Sequence, residues 1–256
     1  MHSTLFTIFG LPIRAYGLMM VVGFSLGIWR AVRVSRKRYG IEPERVYDLA
    51  LVLLVGGVLG ARVVFILINP ATESWGSFFA VWQGGLSFHG GLACAMLFGY
   101  VYMRIVGLPY WKCCDLVAPS LAIGYAFTRI GCFMNGCCYG CPTNLPWGVR
   151  FNDPSTGSGG ALTPPSHPTQ IYAFAANLLI FWLLTRLERM DRKPGFVFVG
   201  YLGLYSIYRF LIEFLRSGYT ATLFALGLTQ AQWVSIAVIV VSAVMMATVY
   251  RKPASP

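Results

Sequence analysis

Charged residues are scarce in this chain of 256 residues, and acidic residues are the scarcest of them. Charged residues make up 11% of the sequence, only nine residues are aspartate or glutamate, and 57% of all residues are hydrophobic. Soluble domains carry about 25% charged residues. The composition therefore excludes an ordinary water-soluble protein and predicts an integral membrane protein.

The sequence also lacks the cysteine and histidine spacing of a zinc site. It has three histidines and seven cysteines, of which Cys132, Cys137, Cys138 and Cys141 lie close together. Cys138 and Cys141 form a Cys-x-x-Cys pair, but no second pair follows at a zinc-finger interval, and the adjacent Cys137 and Cys138 are poorly spaced to bind one ion. We therefore expect no metal and no other cofactor. One or two disulfides fit a segment that lies outside the membrane.

Seven apolar runs are long enough to cross a bilayer. They cover about residues 12–32, 46–69, 87–107, 115–131, 171–185, 196–214 and 230–250. The first run does not resemble a cleaved signal peptide, because its basic cluster follows the apolar stretch. The sequence thus predicts an all-α polytopic membrane protein with about seven transmembrane helices, which form a single transmembrane domain over residues 1–256.

Three polar or mixed segments lie outside these runs. The longest polar connection, residues 141–170, predicts a small cap on the outer side that covers residues 132–170, and a loop of this length is usually functional. Residues 2–10 and 71–83 mix large apolar and polar residues, which is typical of short helices at a membrane interface. We expect both to lie on the outer surface.

The basic residues predict the orientation of the chain. Fourteen of the 20 follow the first, third, fifth and seventh runs, namely Arg30, Arg33, Arg36, Lys37, Arg38, Arg45, Arg104, Lys112, Arg186, Arg189, Arg192, Lys193, Arg251 and Lys252. Such clusters gather on the cytoplasmic side. The amino terminus is therefore expected outside and the carboxyl terminus inside. This topology explains the net charge of +11 without a nucleic-acid partner.

Arginines inside the apolar runs predict a site for an anionic lipid headgroup. Arg62, Arg129 and Arg209 fall within these runs, and each would cost about 2.5–3.5 kcal/mol at the bilayer centre. Glu213 lies one helical turn after Arg209 and precedes Arg216 on the same face. The arginines outnumber this carboxylate, and a guanidinium binds two phosphate oxygens at once. A phosphate group would therefore balance their charge.

These arginines also have structural interpretations. Arg62 is equally well explained as a residue that holds a helix pair together or extends toward the interface. For Arg129 and Arg209, the alternative is an intramembrane network of ion pairs with Glu213 and backbone carbonyls. Of these three arginines, Arg129 and Arg209 are the stronger candidates for a site.

His89 is the candidate proton acceptor, because it stands between two glycine pairs at the outer start of the third run. Glycine pairs allow a close backbone approach or non-helical dihedrals, and irregular backbone at membrane depth is tolerated only beside protein or a cavity. A histidine can exchange a proton near neutral pH. The alternative is a capping or interfacial histidine that is hydrogen-bonded to a carbonyl.

Five ordered motifs resemble the prolipoprotein diacylglyceryl transferase family, and with the spans they cover nearly the whole chain. The motifs are Arg14-Ala15-Tyr16-Gly17, Phe88-His89-Gly90-Gly91, the run from Thr128 to Gly140, His167-Pro168-Thr169-Gln170-Ile171-Tyr172, and Tyr208-Arg209-Phe210-Leu211-Ile212-Glu213-Phe214-Leu215-Arg216. The resemblance implies a multi-pass enzyme of the bacterial inner membrane with a periplasmic cap. It would move the diacylglyceryl group of phosphatidylglycerol to the lipobox cysteine thiol of a prolipoprotein and form a thioether, while glycerol phosphate leaves.

The resemblance also implies roles for individual residues. Arg129 and Arg209 would stabilise the leaving phosphate, and His89 would act as base or orienter of the thiol, although the arginines could also acidify that thiol. The residues implied to bind substrate are Tyr16, Gly90, Gly91, Asn135, Glu213 and Arg216. Tyr16 would otherwise be explained as an interfacial aromatic residue. Membrane lipids and the prolipoprotein are the implied partners.

The chain departs from the family pattern at four positions. Thr128 stands for a glycine, Cys132 for an asparagine and Cys137 for a glutamate, and Ala173 stands where a glutamate often follows the His-Pro-Thr-Gln-Ile-Tyr motif. We expect the cysteines to be structural replacements and not catalytic nucleophiles. The reaction class is expected to survive these changes.

Two other function classes remain open. A membrane thiol oxidoreductase would use the cysteines of residues 132–141 and would not need Arg209. A non-catalytic protein that binds anionic lipid would keep the arginines but have no use for His89. Neither class explains the five ordered motifs.

Overall fold

Seven long apolar helices dominate the fold. The computed structural model describes residues 4–8, 11–70, 75–79, 85–152, 162–190, 192–216 and 223–250. The helices are α1 (Ala15–Val34), α2 (Pro43–Ile68), α3 (Phe88–Val106), α4 (Tyr110–Asn135), α5 (Thr169–Leu187), α6 (Phe196–Glu213) and α7 (Gln230–Thr248). All seven are long and apolar enough to cross a membrane. The prediction of an all-α polytopic membrane protein is confirmed.

Two short β-hairpins accompany the helices. Strand β1 (Thr4–Ile8) pairs antiparallel with β2 (Leu11–Arg14), and β3 (Leu223–Ala225) pairs with β4 (Leu228–Thr229). The prediction of an interfacial helix is therefore wrong for residues 4–8, because pairing with β2 satisfies their backbone groups and the segment is rich in β-branched threonine and isoleucine. In the second expected interfacial segment, Trp75–Ser77 forms one 3₁₀ turn, and residues 71–74 and 80–83 lie outside the described part.

The chain divides into two compact units, of which the larger combines residues 1–30 with residues 114–256. In this unit Ala118, Ile180, Leu184 and Val197 bring α4, α5 and α6 into one buried apolar cluster. Helix α1 approaches α4 closely, since a Cβ at Gly23 would lie 2.7 Å from the carbonyl oxygen of Gly124. Small residues at a helix contact let the two backbones approach closely. Such packing matters in membranes, because the hydrophobic effect does not drive helices together in lipid.

The smaller unit, residues 31–113, is built on the contact between α2 and α3. Glycines form this contact: a Cβ at Gly90 would lie 2.4 Å from Cβ of Val64, and one at Gly91 would lie 3.0 Å from the carbonyl oxygen of Gly57. Arg62 of α2 is buried and donates from Nη1 to the carbonyl oxygen of Gly85, 3.0 Å away. Arg62 thus ties α2 to the segment that enters α3, as expected of a residue that holds a helix pair together.

Asp115 caps the start of α6 from within α4. Its Oδ2 accepts from the backbone N–H of Gly195 at 2.7 Å, and its Oδ1 accepts from that of Phe198 at 2.8 Å. The first N–H groups of a helix have no partner within the helix, and a carboxylate there also interacts favourably with the helix dipole. One of the few acidic residues of the chain is therefore used to hold α6 against α4.

We expect Asp115→Asn to lower the free energy of unfolding by about 1–3 kcal/mol, because the amide group would turn a donor toward one buried N–H. Thermal unfolding in detergent measures this effect. Asp48→Asn is the matched control: Asp48 forms an exposed ion pair with Arg45 at 3.7 Å, and exposed pairs contribute little. Equal shifts for the two variants would contradict the capping role.

Candidate active site

Arg129 lies in the last two turns of α4 with an aromatic partner and no described carboxylate partner. Its Nη2 donates to the hydroxyl of Tyr125, and its guanidinium carbon lies 4.6 Å from the centre of the Tyr125 ring. Its Nε is buried and makes no hydrogen bond to the part of the chain that the structure describes. A cation on an aromatic ring is stabilised without being neutralised, so Arg129 keeps its positive charge beside Tyr125.

Arg209, Glu213 and Arg216 form a second cationic group at the end of α6. Arg209 Nη1 and Glu213 Oε2 form an ion pair, and Arg216 Nε lies 3.9 Å from the same oxygen. Glu213 is buried, and its Oε1 also accepts from the hydroxyl of Thr229 at 3.2 Å, at the start of α7. One carboxylate thus serves two guanidinium groups.

Tyrosines connect the two cationic groups. The Tyr125 ring packs edge-on against Tyr205, with ring centres 5.6 Å apart, and Tyr205 is 5.8 Å from Tyr208. Tyr208 lies within electrostatic range of both Arg129 and Arg209. Tyr125 and Tyr205 were not identified as site residues from the sequence. The four-residue spacing of Tyr125 and Arg129 was the available signal, because it places these two residues on one helical face.

The turn after α4 is fastened to α5 by two buried side chains. Thr169 Oγ1 donates to the carbonyl oxygen of Cys138 at 2.7 Å, and Gln170 Nε2 donates to that of Cys137 at 2.8 Å. Thr169 and Gln170 belong to the His-Pro-Thr-Gln-Ile-Tyr motif, so the structure gives this motif a positioning role that the sequence analysis did not identify. The segment after this turn is joined to the residues that follow α6, because the N–H of Cys141 donates to the carbonyl oxygen of Leu215 at 2.8 Å.

Two glycines make this turn possible. Gly136 has a φ of +76°, and a Cβ on it would lie 2.6 Å from the carbonyl oxygen of Asn152. A Cβ on Gly140 would lie 2.3 Å from the carbonyl oxygen of Leu215. Contacts this close exclude any larger residue without a backbone shift, which explains Gly136 and Gly140 in the Thr128–Gly140 run.

Three cysteine thiols meet beside Arg129. The sulfurs of Cys132, Cys137 and Cys138 all lie within 4.8 Å of one another, and Asn135 Nδ2 is 3.6 Å from the Cys137 sulfur. Hydrogen bonds from Cys132 and Cys137, together with the positive charge of Arg129, lower the pKa of the Cys138 thiol. In this structure Asn135 therefore contacts a thiol of the chain itself.

The structure assigns the predicted site residues to different units. Tyr16, Arg129, Asn135, Arg209, Glu213 and Arg216 belong to the larger unit, whereas His89, Gly90 and Gly91 belong to the smaller one. Tyr16 lies beside Gly131, where a Cβ would be 3.0 Å from the Tyr16 Cα, and within electrostatic range of Arg129. The contact of each of these residues with substrate stays a prediction.

His89 is exposed in the first turn of α3. Its ring packs edge-on against Phe88, with centres 5.6 Å apart, while the Ser87 side chain caps the helix by accepting from the N–H of Gly90 at 3.4 Å. Since Ser87 supplies the cap, the imidazole is not used for it. Gly90 and Gly91 pack against α2, as described above.

An apolar groove runs between α5 and α6 in the larger unit. It has a volume of about 360 Å³, and its lining includes Tyr172, Leu183, Leu204, Tyr208 and Leu215. Nearly all of the lining side chains are aliphatic, so the groove suits a hydrocarbon chain. Tyr208 and Leu215 place it next to the cationic group at the end of α6.

The chain as a whole matches a known family. The family model for prolipoprotein diacylglyceryl transferase matches residues 3–248. The chain belongs to this family. Among its relatives are proteins named phosphatidylglycerol–prolipoprotein diacylglyceryl transferase from Clostridium tetani, 35% identical over 84% of this chain and 86% of that protein, and from Cupriavidus metallidurans, 35% identical over 94% and 91%. A third, from Geobacter sulfurreducens, is 32% identical over 96% of this chain and 94% of that protein.

Membership of the diacylglyceryl transferase family confirms the resemblance inferred from the five motifs. In the structure, three of the four departures lie near the end of α4: Thr128 inside the helix, Cys132 in its last turn and Cys137 in the turn that follows. The fourth, Ala173, lies one turn into α5. The family and the seven apolar helices together fit a multi-pass protein of the bacterial inner membrane.

Proposed function

We propose that this chain transfers the diacylglyceryl group of phosphatidylglycerol to the lipobox cysteine thiol of a prolipoprotein. A sulfur–carbon bond forms at the glyceryl carbon, the carbon–oxygen bond to phosphate breaks, and glycerol phosphate leaves. The observation that carries the proposal is the surplus of guanidinium groups at the ends of α4 and α6. Arg209 and Arg216 share the carboxylate of Glu213, and Arg129 is bonded to the Tyr125 hydroxyl with no described carboxylate partner.

Arg129 and Arg209 would stabilise the charge that grows on the leaving phosphate. Fixed donors directed at developing charge act most strongly where water is excluded, and both arginines lie in spanning helices with most of their surface covered. Glu213, held by Thr229, keeps Arg209 in place. Arg216, which contacts the same Glu213 oxygen as Arg209, would add further positive charge for the phosphate.

The acceptor thiol must lose its proton, because the thiolate is the nucleophile. His89 is the proposed base: it is exposed, it is not the cap of its own helix, and an imidazole exchanges protons near neutral pH. Tyr16 and Asn135 are proposed to contact the headgroup. Gly90 and Gly91 would shape the backbone next to His89.

The groove between α5 and α6 is proposed to hold one acyl chain of the lipid. Its aliphatic lining matches a hydrocarbon tail and includes Leu215, the neighbour of Arg216 in the chain. The headgroup would then meet the arginines while the tail remains in an apolar environment. Membrane lipids would occupy the same groove when no substrate is bound.

Glycerol phosphate release tests this function against the two alternatives. Purified chain should release it from phosphatidylglycerol only when a lipobox peptide with its cysteine is present, and not with the serine peptide. Oxidation of a dithiol substrate without any use of phosphatidylglycerol would instead support the oxidoreductase alternative. Lipid binding without release would support the non-catalytic one. The family match and the names of the relatives favour neither alternative.

We further propose that the amino terminus and the end of α6 face the periplasm and that the carboxyl terminus is cytoplasmic. Labelling of intact cells tests this orientation. Leu226→Cys, in the exposed turn after β3, should gain reactivity with an impermeant maleimide, whereas the exposed Lys37→Cys should react only after the membrane is permeabilised. The parent chain gives the background from native cysteines. The reverse pattern would place the proposed site in the cytoplasmic leaflet.

A further inference from the structure

The three thiols beside Arg129 come from two segments that the fold brings together. Cys132 is buried in the last turn of α4, and Cys137 and Cys138 follow in the turn toward α5. Among the residues that the structure describes, this is the one cluster of three histidine, cysteine or acidic side chains with ligand atoms close enough for a shared metal ion. Nothing in the proposed reaction uses it.

An irregular backbone allows two adjacent cysteines to face the same point. Cys138 has a φ of +64°, in the left-handed region that non-glycine residues seldom occupy, and Gly136 has a φ of +76°. Such strain persists only where the surroundings fix it. Here Thr169 and Gln170 hold the carbonyl groups of Cys138 and Cys137. Adjacent cysteines such as Cys137 and Cys138 are poorly spaced to bind one ion on a regular backbone, but the backbone of this turn is irregular.

The sulfur separations are close to those of a metal site. Zinc binds thiolate at about 2.3 Å in a tetrahedral arrangement, which places two sulfur ligands roughly 3.8 Å apart. The three sulfurs lie within 4.8 Å of one another, so adjustments of about 1 Å bring them to this spacing. Three thiolates would repel one another without a cation.

We propose that Cys132, Cys137 and Cys138 bind one Zn²⁺ ion as thiolates, with water as the fourth ligand. The ion would clamp the last turn of α4 to the turn that leads to α5. Two of the three ligands, Cys132 and Cys137, stand where the family pattern has an asparagine and a glutamate, so a metal–thiolate link would replace polar side chains at this point. Soft thiolate ligands favour zinc over magnesium or calcium. The proposal does not depend on the transferase activity.

Cobalt binding to the reduced full chain in detergent tests the site directly. We expect one Co²⁺ per chain, with the thiolate-to-cobalt absorption bands of a three-sulfur site, and displacement of the cobalt by Zn²⁺. Cys132→Ser, Cys137→Ser and Cys138→Ser should each weaken binding by about 100-fold, the upper end of the loss seen when only a supporting residue is removed, because each change removes one of three ligands. Cys141→Ser is the matched control. Cys141 lies in the same loop, outside the cluster, and its thiol donates to the carbonyl oxygen of Arg216 at 3.1 Å.

Three results would overturn the proposal. The first is the absence of thiolate-to-cobalt bands in the reduced wild-type chain, which requires no variant to fold. The second is a disulfide between two of the three cysteines in chain that has been alkylated in its native membrane and analysed by mass spectrometry. The third is loss of the bands in Cys141→Ser alone, which would place the site elsewhere. Zinc in the purified chain, together with alkylation of Cys132, Cys137 and Cys138 only after chelation, supports the proposal.

Discussion

Lysine in place of Arg129 or Arg209 should lower the turnover of phosphatidylglycerol by about 10²- to 10³-fold, the loss typical of removing one donor to developing charge. Lysine keeps the positive charge but cannot contact two phosphate oxygens at once. Arg129→Lys would also lose the fit of the flat guanidinium on Tyr125. Glycerol phosphate release by purified variants, normalised to folded protein, measures the effect.

Arg62→Lys is the matched control for these variants. Arg62 also lies inside a spanning helix, but it donates to the backbone of Gly85 and stacks 5.7 Å from the Phe65 ring. We expect it to lower thermal stability and to leave the rate per folded molecule within a few-fold of wild type. Rates near wild type for both Arg129→Lys and Arg209→Lys would refute the phosphate clamp, and so would an equal loss for Arg62→Lys.

His89→Gln should lower transfer to a cysteine peptide by about 10²- to 10⁴-fold, the usual contribution of a general base. Glutamine retains hydrogen bonding but accepts no proton. A peptide with selenocysteine in place of cysteine separates the two roles, because a selenol is already ionised at neutral pH. The His89→Gln variant should therefore recover most of the wild-type rate with the selenocysteine peptide.

Phe88→Leu is the control for His89, because Phe88 is its exposed neighbour and ring partner at the start of α3. We expect this variant to stay close to wild type with both peptides. If His89→Gln has the same deficit with cysteine and selenocysteine, His89 orients a substrate and does not remove the proton. Full activity of His89→Gln with cysteine would assign thiol activation to the arginines.

Much of the fold followed from composition and spacing alone. Seven apolar runs gave seven helices, because a chain that crosses lipid must satisfy its backbone hydrogen bonds internally. The Arg209–Glu213 contact followed from the four-residue helical repeat, and the structure pairs the two side chains. The ends of the helices were less predictable. Helix α4 continues to Asn135, so the first four residues of the segment expected as a cap are helical.

The parts that the sequence did not reveal depend on contacts between distant segments. Asp115 caps a helix whose N-cap residue, Gly195, lies 80 residues later, and Gln170 holds a turn 33 residues earlier. No local pattern marks such partners. The convergence of the cysteines depends on the left-handed conformations of Gly136 and Cys138, and cysteine is not a residue that signals this conformation. The hairpin of β1 and β2 was not predicted, because the pattern of a short apolar segment fits either a strand or an interfacial helix.

The most direct test of the central claim is the mass of a lipobox peptide after incubation with purified chain and phosphatidylglycerol of defined acyl composition. The cysteine peptide should gain the mass of one diacylglyceryl group through a bond that resists thioester cleavage, and the serine peptide should stay unchanged. A folded chain that binds phosphatidylglycerol but leaves the cysteine peptide unmodified would refute the proposed transfer.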